Sequence, residues 1–251
     1  MPAAQSARAA LTIAVASALL SAGASASTSG PALADQLAAL DARLAAPNSG
    51  NGRLPLWEFG RSMQNASLSA ADEAEALNYL DRLAASQPAK AAAAAGARYM
   101  ISALSVGKPA PEIHGTDLDG AEFKLSDFRG KVVLLMFSGD WCGICRAQYP
   151  YERLMLELYK TWPFAIVGVE SGVDRAAAKA ALARERLPYR AFWDADDAAA
   201  GSHGGAISAR WNVVGWPGIY VIDGRGVIRS VDQTQEDLLK SVRLTLASNA
   251  R

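Results

Sequence analysis

The stretch KVVLLMFSGDWCGICRAQYP, Lys131 to Pro150, decides the fold. Its first seven residues form a β-branched and apolar run with no polar alternation, the pattern of a strand buried on both faces. Ser138-Gly139-Asp140 ends that run, and from Cys145 to Lys160 the residues read as a helix. The two cysteines of the 251-residue chain lie where strand gives way to helix, separated by two residues. Cys142 falls at the helix start and Cys145 one turn inside, which puts both sulfurs on one face and within bonding range. Unpaired N–H groups and the macrodipole at a helix start favour negative charge. Cys142 is therefore expected as the thiolate nucleophile and Cys145 as the deeper resolving thiol.

Further along the chain the layout is α/β. Ala121 to Leu125 is a short strand candidate, Phe164 to Val169 a buried strand, Arg175 to Arg186 a helix and Tyr189 to Trp193 a strand. Ile219 to Ile222 and Val227 to Val231 flank the turn Asp223-Gly224-Arg225-Gly226 as a hairpin, and Thr234 to Leu246 closes as a helix. These elements predict a central mixed β-sheet flanked by helices. The residues before them read as a small all-α region. Leu33, Leu37, Leu40 and Leu44 line one helix face that Pro47 to Gly50 stops, Ser69 starts a second helix through about Ala85, and a third begins near Pro88 and ends with Tyr99, Met100, Ile101 and Leu104. Val106 to Pro111, with two prolines and a glycine, marks a boundary near residue 105. The expected organisation is 1–26 signal peptide, 27–104 helical region and 105–251 α/β domain.

The signal reading rests on Arg8, the only side-chain charge before Asp35, the apolar run Ala9 to Leu20, and the small residues Ala24-Ser25-Ala26. Twelve mostly apolar residues fall short of the roughly twenty that cross a bilayer. Export to the periplasm or beyond is expected, with no stable membrane span after cleavage. Twenty-five Lys and Arg balance twenty-five Asp and Glu, so nothing global draws the chain to nucleic acid or an anionic membrane.

Other readings of the cysteines stand beside redox exchange. A structural disulfide here closes a tiny loop and removes little entropy from the unfolded chain. As a metal site the pair is half of a tetrahedral set, with only His114 and His203 to complete it, so no metal is expected. A metal- or partner-binding module without turnover is a further alternative. A thiol peroxidase is another, but the Pro-x-x-x-Thr-x-x-Cys setting of such an enzyme is missing before Cys142.

Together, Gly107-Lys108-Pro109-Ala110-Pro111, Leu125 to Lys131, Trp141-Cys142-Gly143-Ile144-Cys145 and Trp216-Pro217 resemble the thioredoxin-fold TlpA/ResA-like thiol-disulfide oxidoreductases of the bacterial cell envelope. The similarity runs from about Val106 to about Leu246 and leaves out the helical region. It implies a thioredoxin-like domain without an organic cofactor, acting on protein thiols and disulfides. It further implies a reductant fed by a membrane thiol electron donor, with apocytochrome c or a copper-site protein as typical clients. It also implies that Pro217 is cis and faces the cysteines, so that the backbone at Trp216 can pair with an extended client segment. Trp141, Gly143 and Ile144 are site-support residues on the same basis, and the Gly143-Ile144 pair helps set the reduction potential.

Two departures from the family pattern concern the proton. The buried Asp that thioredoxins place six residues before the first cysteine is Met136 here, and the Glu that some ResA-like members place three residues after the second cysteine is Gln148. Glu170, at the carboxyl end of the Phe164 to Val169 strand, is the candidate proton acceptor in their place. Asp140 opposes a thiolate at Cys142, and Arg146 offsets it if its guanidinium turns back toward the site.

Overall fold

In a computed structural model of the chain, the structure describes residues 32–46, 50, 52–195, 204–231 and 235–249. The expected signal segment and His203 lie outside them. Leu33–Arg251 forms one compact unit.

Four helices come first: α1 Leu33–Ala45, α2 Arg53–Gln64, α3 Ala70–Ser86 and α4 Ala91–Ala103, with a short 3-10 turn at Pro88–Lys90. Ser69 caps α3 as expected, its hydroxyl accepting the Asp72 N–H at 3.1 Å. The helix α2 is an element the sequence reading does not predict, because Pro55 and Gly60 interrupt RLPLWEFGRSMQ. Both residues are accommodated. Pro55 sits in the first turn, where its missing N–H has no intrahelical partner to lose. Gly60 brings α2 against α4: a Cβ at that position would lie 3.1 Å from the Ala97 Cα. Leu56, Phe59 and Met63 of α2 share an apolar cluster with Leu40, Leu44, Leu80, Leu83 and Ile101 of the other helices.

The central sheet has strand order β5-β4-β3-β6-β7, with β3 Val132–Ser138, β4 Phe164–Gly172, β5 Arg190–Ala195, β6 Gly218–Ile222 and β7 Ile228–Val231. Strands β3, β4 and β5 run parallel, while β6 and β7 are antiparallel to their neighbours. This is the expected mixed sheet. Every residue of β3 is buried, as a strand covered on both faces requires. A separate two-stranded ribbon pairs β1 His114–Thr116 with β2 Glu122–Lys124.

Side chains alternate across β3 and β4, so the sheet divides two apolar layers. Val133, Leu135, Phe137, Val167 and Val169 face a cluster that also takes in Phe123, Phe192, Trp211 and, from the end of α4, Met100 and Leu104. Val132, Leu134, Met136 and Ile166 face the opposite layer, built on Met155 of α6, Tyr149–Leu158, and on Leu238, Val242 and Leu246 of α9, Gln235–Asn249. Helix α7, Arg175–Arg184, is capped by the Asp174 carboxylate, which accepts the Ala176 and Ala177 N–H groups at 2.8 and 3.2 Å.

The single helix expected over Cys145 to Lys160 is two. A one-turn helix α5, Gly143–Arg146, is followed by α6, Tyr149–Leu158. Pro150 accounts for the break, because it has no N–H to give the Arg146 carbonyl and its ring crowds the preceding turn. No helix among the described residues is long and apolar enough to cross a membrane.

Candidate active site

Strand β3 delivers the chain to the rim of the sheet at Ser138, and the next residues turn sharply. Gly139 makes the turn feasible: a Cβ there would lie 2.7 Å from the Ser171 carbonyl oxygen and collide with the Trp141 indole. Trp141 can thus fold back and donate from Nε1 to that same carbonyl at 3.0 Å. Cys142 is the N-cap of α5, and its Sγ accepts the Cys145 N–H at 3.1 Å. A disulfide joins Cys142 to Cys145, with Cα atoms 5.2 Å apart. The expected long helix behind Cys142 is corrected to a single turn, so stabilisation of a thiolate there falls to local N–H groups rather than to an extended macrodipole.

The two sulfurs are not equivalent. Cys142 keeps 6% exposure against 1% for Cys145, and it is bordered by Trp141 at 38% and Ile144 at 67%. Arg146 does turn back, donating weakly from Nη1 to the Asp140 carbonyl at 3.4 Å. Beside this rim the Trp216–Pro217 peptide bond is cis. Trp216 lies edge-to-face against Trp141, with ring centroids 5.5 Å apart, which ties the proline loop to the residue before Cys142.

Below the rim lies a buried polar group that the sequence reading finds only in part. Register pairs Ser138 with Glu170 and Met136 with Gly168, so Glu170 lies on the same sheet face as Met136, one strand across and two residues nearer the rim. From α6, Tyr149 and Glu152 are buried alongside Met155, and Tyr189 donates from its hydroxyl to Glu152 Oε2 at 2.9 Å. Ser138 Oγ, Tyr149 Oη and Glu170 Oε1 are all buried without a hydrogen-bond partner among the described residues. Burial, reinforced by the nearby Glu152 and Asp140 charges, pushes the Glu170 carboxyl up to about 8. Burial likewise raises Glu152 to about 7, against the hydrogen bond from Tyr189 and the Arg153 charge. Glu152, Tyr149 and Tyr189 are absent from the sequence expectations. Glu152 and Tyr149 carried one available signal, their spacing with Met155 at steps of three on one helix face, but a Glu at such a position reads as solvated until its cover is known.

The candidate metal ligand His114 sits on β1, more than half exposed, with Nε2 3.9 Å from Glu122 Oε2.

A mixed sheet with a Cys-x-x-Cys disulfide beyond its central strand and a cis-proline loop alongside defines a thioredoxin-fold thiol-disulfide oxidoreductase. Comparison with known proteins agrees. The AhpC/TSA family model matches residues 106–231, and this chain belongs to that family. Thiol-disulfide oxidoreductase ResA of Geobacillus kaustophilus (strain HTA426) is 31% identical over 140 residues, covering 55% of this chain and 76% of the relative. ResA of Bacillus subtilis (strain 168) is 35% identical over 74 residues, covering 30% of this chain and 41% of the relative. Among solved structures, the thioredoxin domain of a thiol-disulfide oxidoreductase from Bacteroides vulgatus is 28% identical with a TM-score of 0.50, covering 57% of this chain and 99% of that domain. The family match begins after α4.

Proposed function

We propose that the chain is an extracytoplasmic reductant of protein disulfides, exported by its first 26 residues, with residues 27–104 as a helical module ahead of the redox domain at 105–251. The observation that carries this reading is the asymmetric pair, an outer Cys142 and an inner Cys145, on a rim shared with the cis-proline loop. The Cys142 thiolate attacks a client disulfide, forming a mixed disulfide and expelling one client thiolate. The Cys145 thiol passes its proton to the Glu170 carboxylate. The Cys145 thiolate then attacks Cys142 Sγ, restoring the internal disulfide and releasing the second client thiolate. Two electrons go to the client and the dithiol is oxidised.

Glu170 suits this role because its carboxyl titrates near the range of an ordinary thiol, where proton exchange in either direction is nearly balanced. It stands in for the acids missing at Met136 and Gln148. Trp216 and Pro217 offer backbone for an extended client segment, and Trp141, Gly143 and Ile144 border the entry to Cys142. A membrane thiol carrier returns the disulfide to dithiol. Reduced Cys145→Ser protein, exposed to extracts of the extracytoplasmic compartment, is expected to accumulate a client on Cys142 that dithiothreitol releases. Accessible Cys142 that captures no adduct overturns the reading.

A further inference from the structure

The helical region precedes the family match, yet it reaches the loop that carries the cis-proline at two points. Helix α2 presents Trp57, half-buried, to Gly215: a Cβ on Gly215 would lie 3.6 Å from Cη2 and 3.8 Å from Cζ2 of that indole, ordinary contact distance. The Arg61 guanidinium covers the Trp57 ring at 4.9 Å from its centroid, a cation–π contact that restrains the ring from one side. Trp57 packs on the same core cluster as Val213 and Trp216. Helix α4 makes the second approach through Gly96, where a Cβ would come within 3.0 Å of Asn212 Oδ1. Asn212 itself holds a left-handed backbone with φ of 50°.

The far end of α2 is bonded to the sheet. Asn65, just past its last turn, donates from Nδ2 to the Val231 carbonyl at 2.6 Å and accepts the Val231 N–H at 3.0 Å, as a neighbouring strand would on β7. Gln64 Nε2 donates to the Leu104 carbonyl at 2.9 Å, and the Gln64 carbonyl accepts the Val106 N–H at 2.9 Å. With α2 fixed to the edge of the sheet, Trp57 is held against the Gly215 to Pro217 turn. From there the contacts run through Trp216 to Trp141, beside Cys142.

We infer that Trp57 is a positioning residue for client docking, through which the helical region holds the Gly215-Trp216-Pro217 turn in the shape that receives an extended polypeptide. The inference rests on the docking role of that turn given above. Trp57 packs on the proline loop, so it acts on how a protein client seats and not on the exchange chemistry.

The test uses the full chain as wild type, Trp57→Ala, Trp57→Phe, Gly96→Ala and Trp216→Ala, each reduced and assayed on insulin and on the small disulfide 5,5′-dithiobis(2-nitrobenzoate), with the midpoint potential of the cysteine pair measured alongside. For Trp57→Ala the KM for insulin is expected to rise about fivefold, equivalent to about 1 kcal/mol of lost seating, with kcat within about twofold of wild type. The small-disulfide rate and the potential stay at wild-type values, and Trp57→Phe restores most of the KM. Gly96→Ala favours its own helix but presses on Asn212, so it carries the test if Trp57→Ala does not fold; its insulin KM is also expected to rise. A wild-type insulin KM in the folded Trp57 and Gly96 variants, while Trp216→Ala raises it, overturns the inference and leaves the docking role standing. No effect of Trp216→Ala breaks the side-chain path from Trp57 to the rim and overturns the inference, while the docking role, which needs only the backbone at Trp216, stands. Parallel loss on both disulfides together with a shifted potential marks general loosening and also overturns it.

Discussion

At the scale of single residues, the exchange chemistry depends on where one proton can go. Glu170 shares a sheet face with Met136 and lies beneath the rim that holds the cysteines, with one carboxylate oxygen unpartnered and its pKa pushed up to about 8 by burial and by the Glu152 and Asp140 charges. Replacing it with Gln is expected to slow resolution of a Cys142 mixed disulfide by at least about tenfold, within the usual range for a lost acid–base group. Stopped-flow release of a fluorescent client measures this. In the wild type the rate rises with pH through the region near 8, and the Gln variant lacks that inflection. Glu152→Gln removes a neighbouring negative charge, so the inflection is expected to move to lower pH. Met136 and Gln148 could be recognised in the sequence as missing acids. Glu170 could be named but not placed, because its burial depends on α6 and β5 closing over it, and no local spacing records that.

At the scale of elements, the rim is built from short pieces that need local hydrogen bonds to persist. Helix α8, Ala206–Arg210, is held by one buried carboxylate: Asp194, at the end of β5, accepts from the N–H groups of Gly205, Ile207 and Ser208 at 3.1, 2.8 and 2.9 Å and from the Ser208 hydroxyl. Asp194→Ala leaves those donors without a partner and is expected to destabilise the protein by about 2 to 3 kcal/mol, measured by urea unfolding with the disulfide intact. Because α8 leads directly into the turn before Pro217, insulin reduction by this variant is expected to suffer more than reduction of a small disulfide. The strong periodic elements were legible: α1 from its leucines, α3 from Ser69, and β3 and β4 from their unbroken apolar runs. Not read were α2, concealed by Pro55 and Gly60, the three-residue strand β1, the five-residue helix α8, and the break between α5 and α6. Pro150 was in plain view there, but whether a proline sits in a first turn or interrupts a helix depends on what the flanking turn packs against.

For the molecule as a whole, the buried acids set how stability follows pH. Glu152 and Glu170 have an ordinary carboxyl value of 4.5 when unfolded and are raised to about 7 and about 8 in the fold. Below 4.5 both states are protonated and the contribution is complete. As pH rises, the unfolded chain releases protons that the fold retains, so stability is lost progressively and the loss ends near 8. Denaturant midpoints from pH 5 to 9 are expected to fall and then level. Glu170→Gln should flatten the upper part of that fall, recovering at least about 1 kcal/mol at pH 8. A profile unchanged by Glu170→Gln would mean that this carboxyl titrates normally.

The sequence by itself determined the layers of the redox domain and the position of its two sulfurs. Apolar runs and cysteine spacing act within a few residues, and the runs bury the same faces whatever lies beyond. How deeply Glu170 is buried, which groups close over it, and which helix braces the cis-proline turn were decided only by tertiary structure. Each depends on residues far apart in the chain, such as Ser138 beside Glu170 or Trp57 beside Gly215. Burial and its electrostatic consequences exist only once those segments have closed on one another.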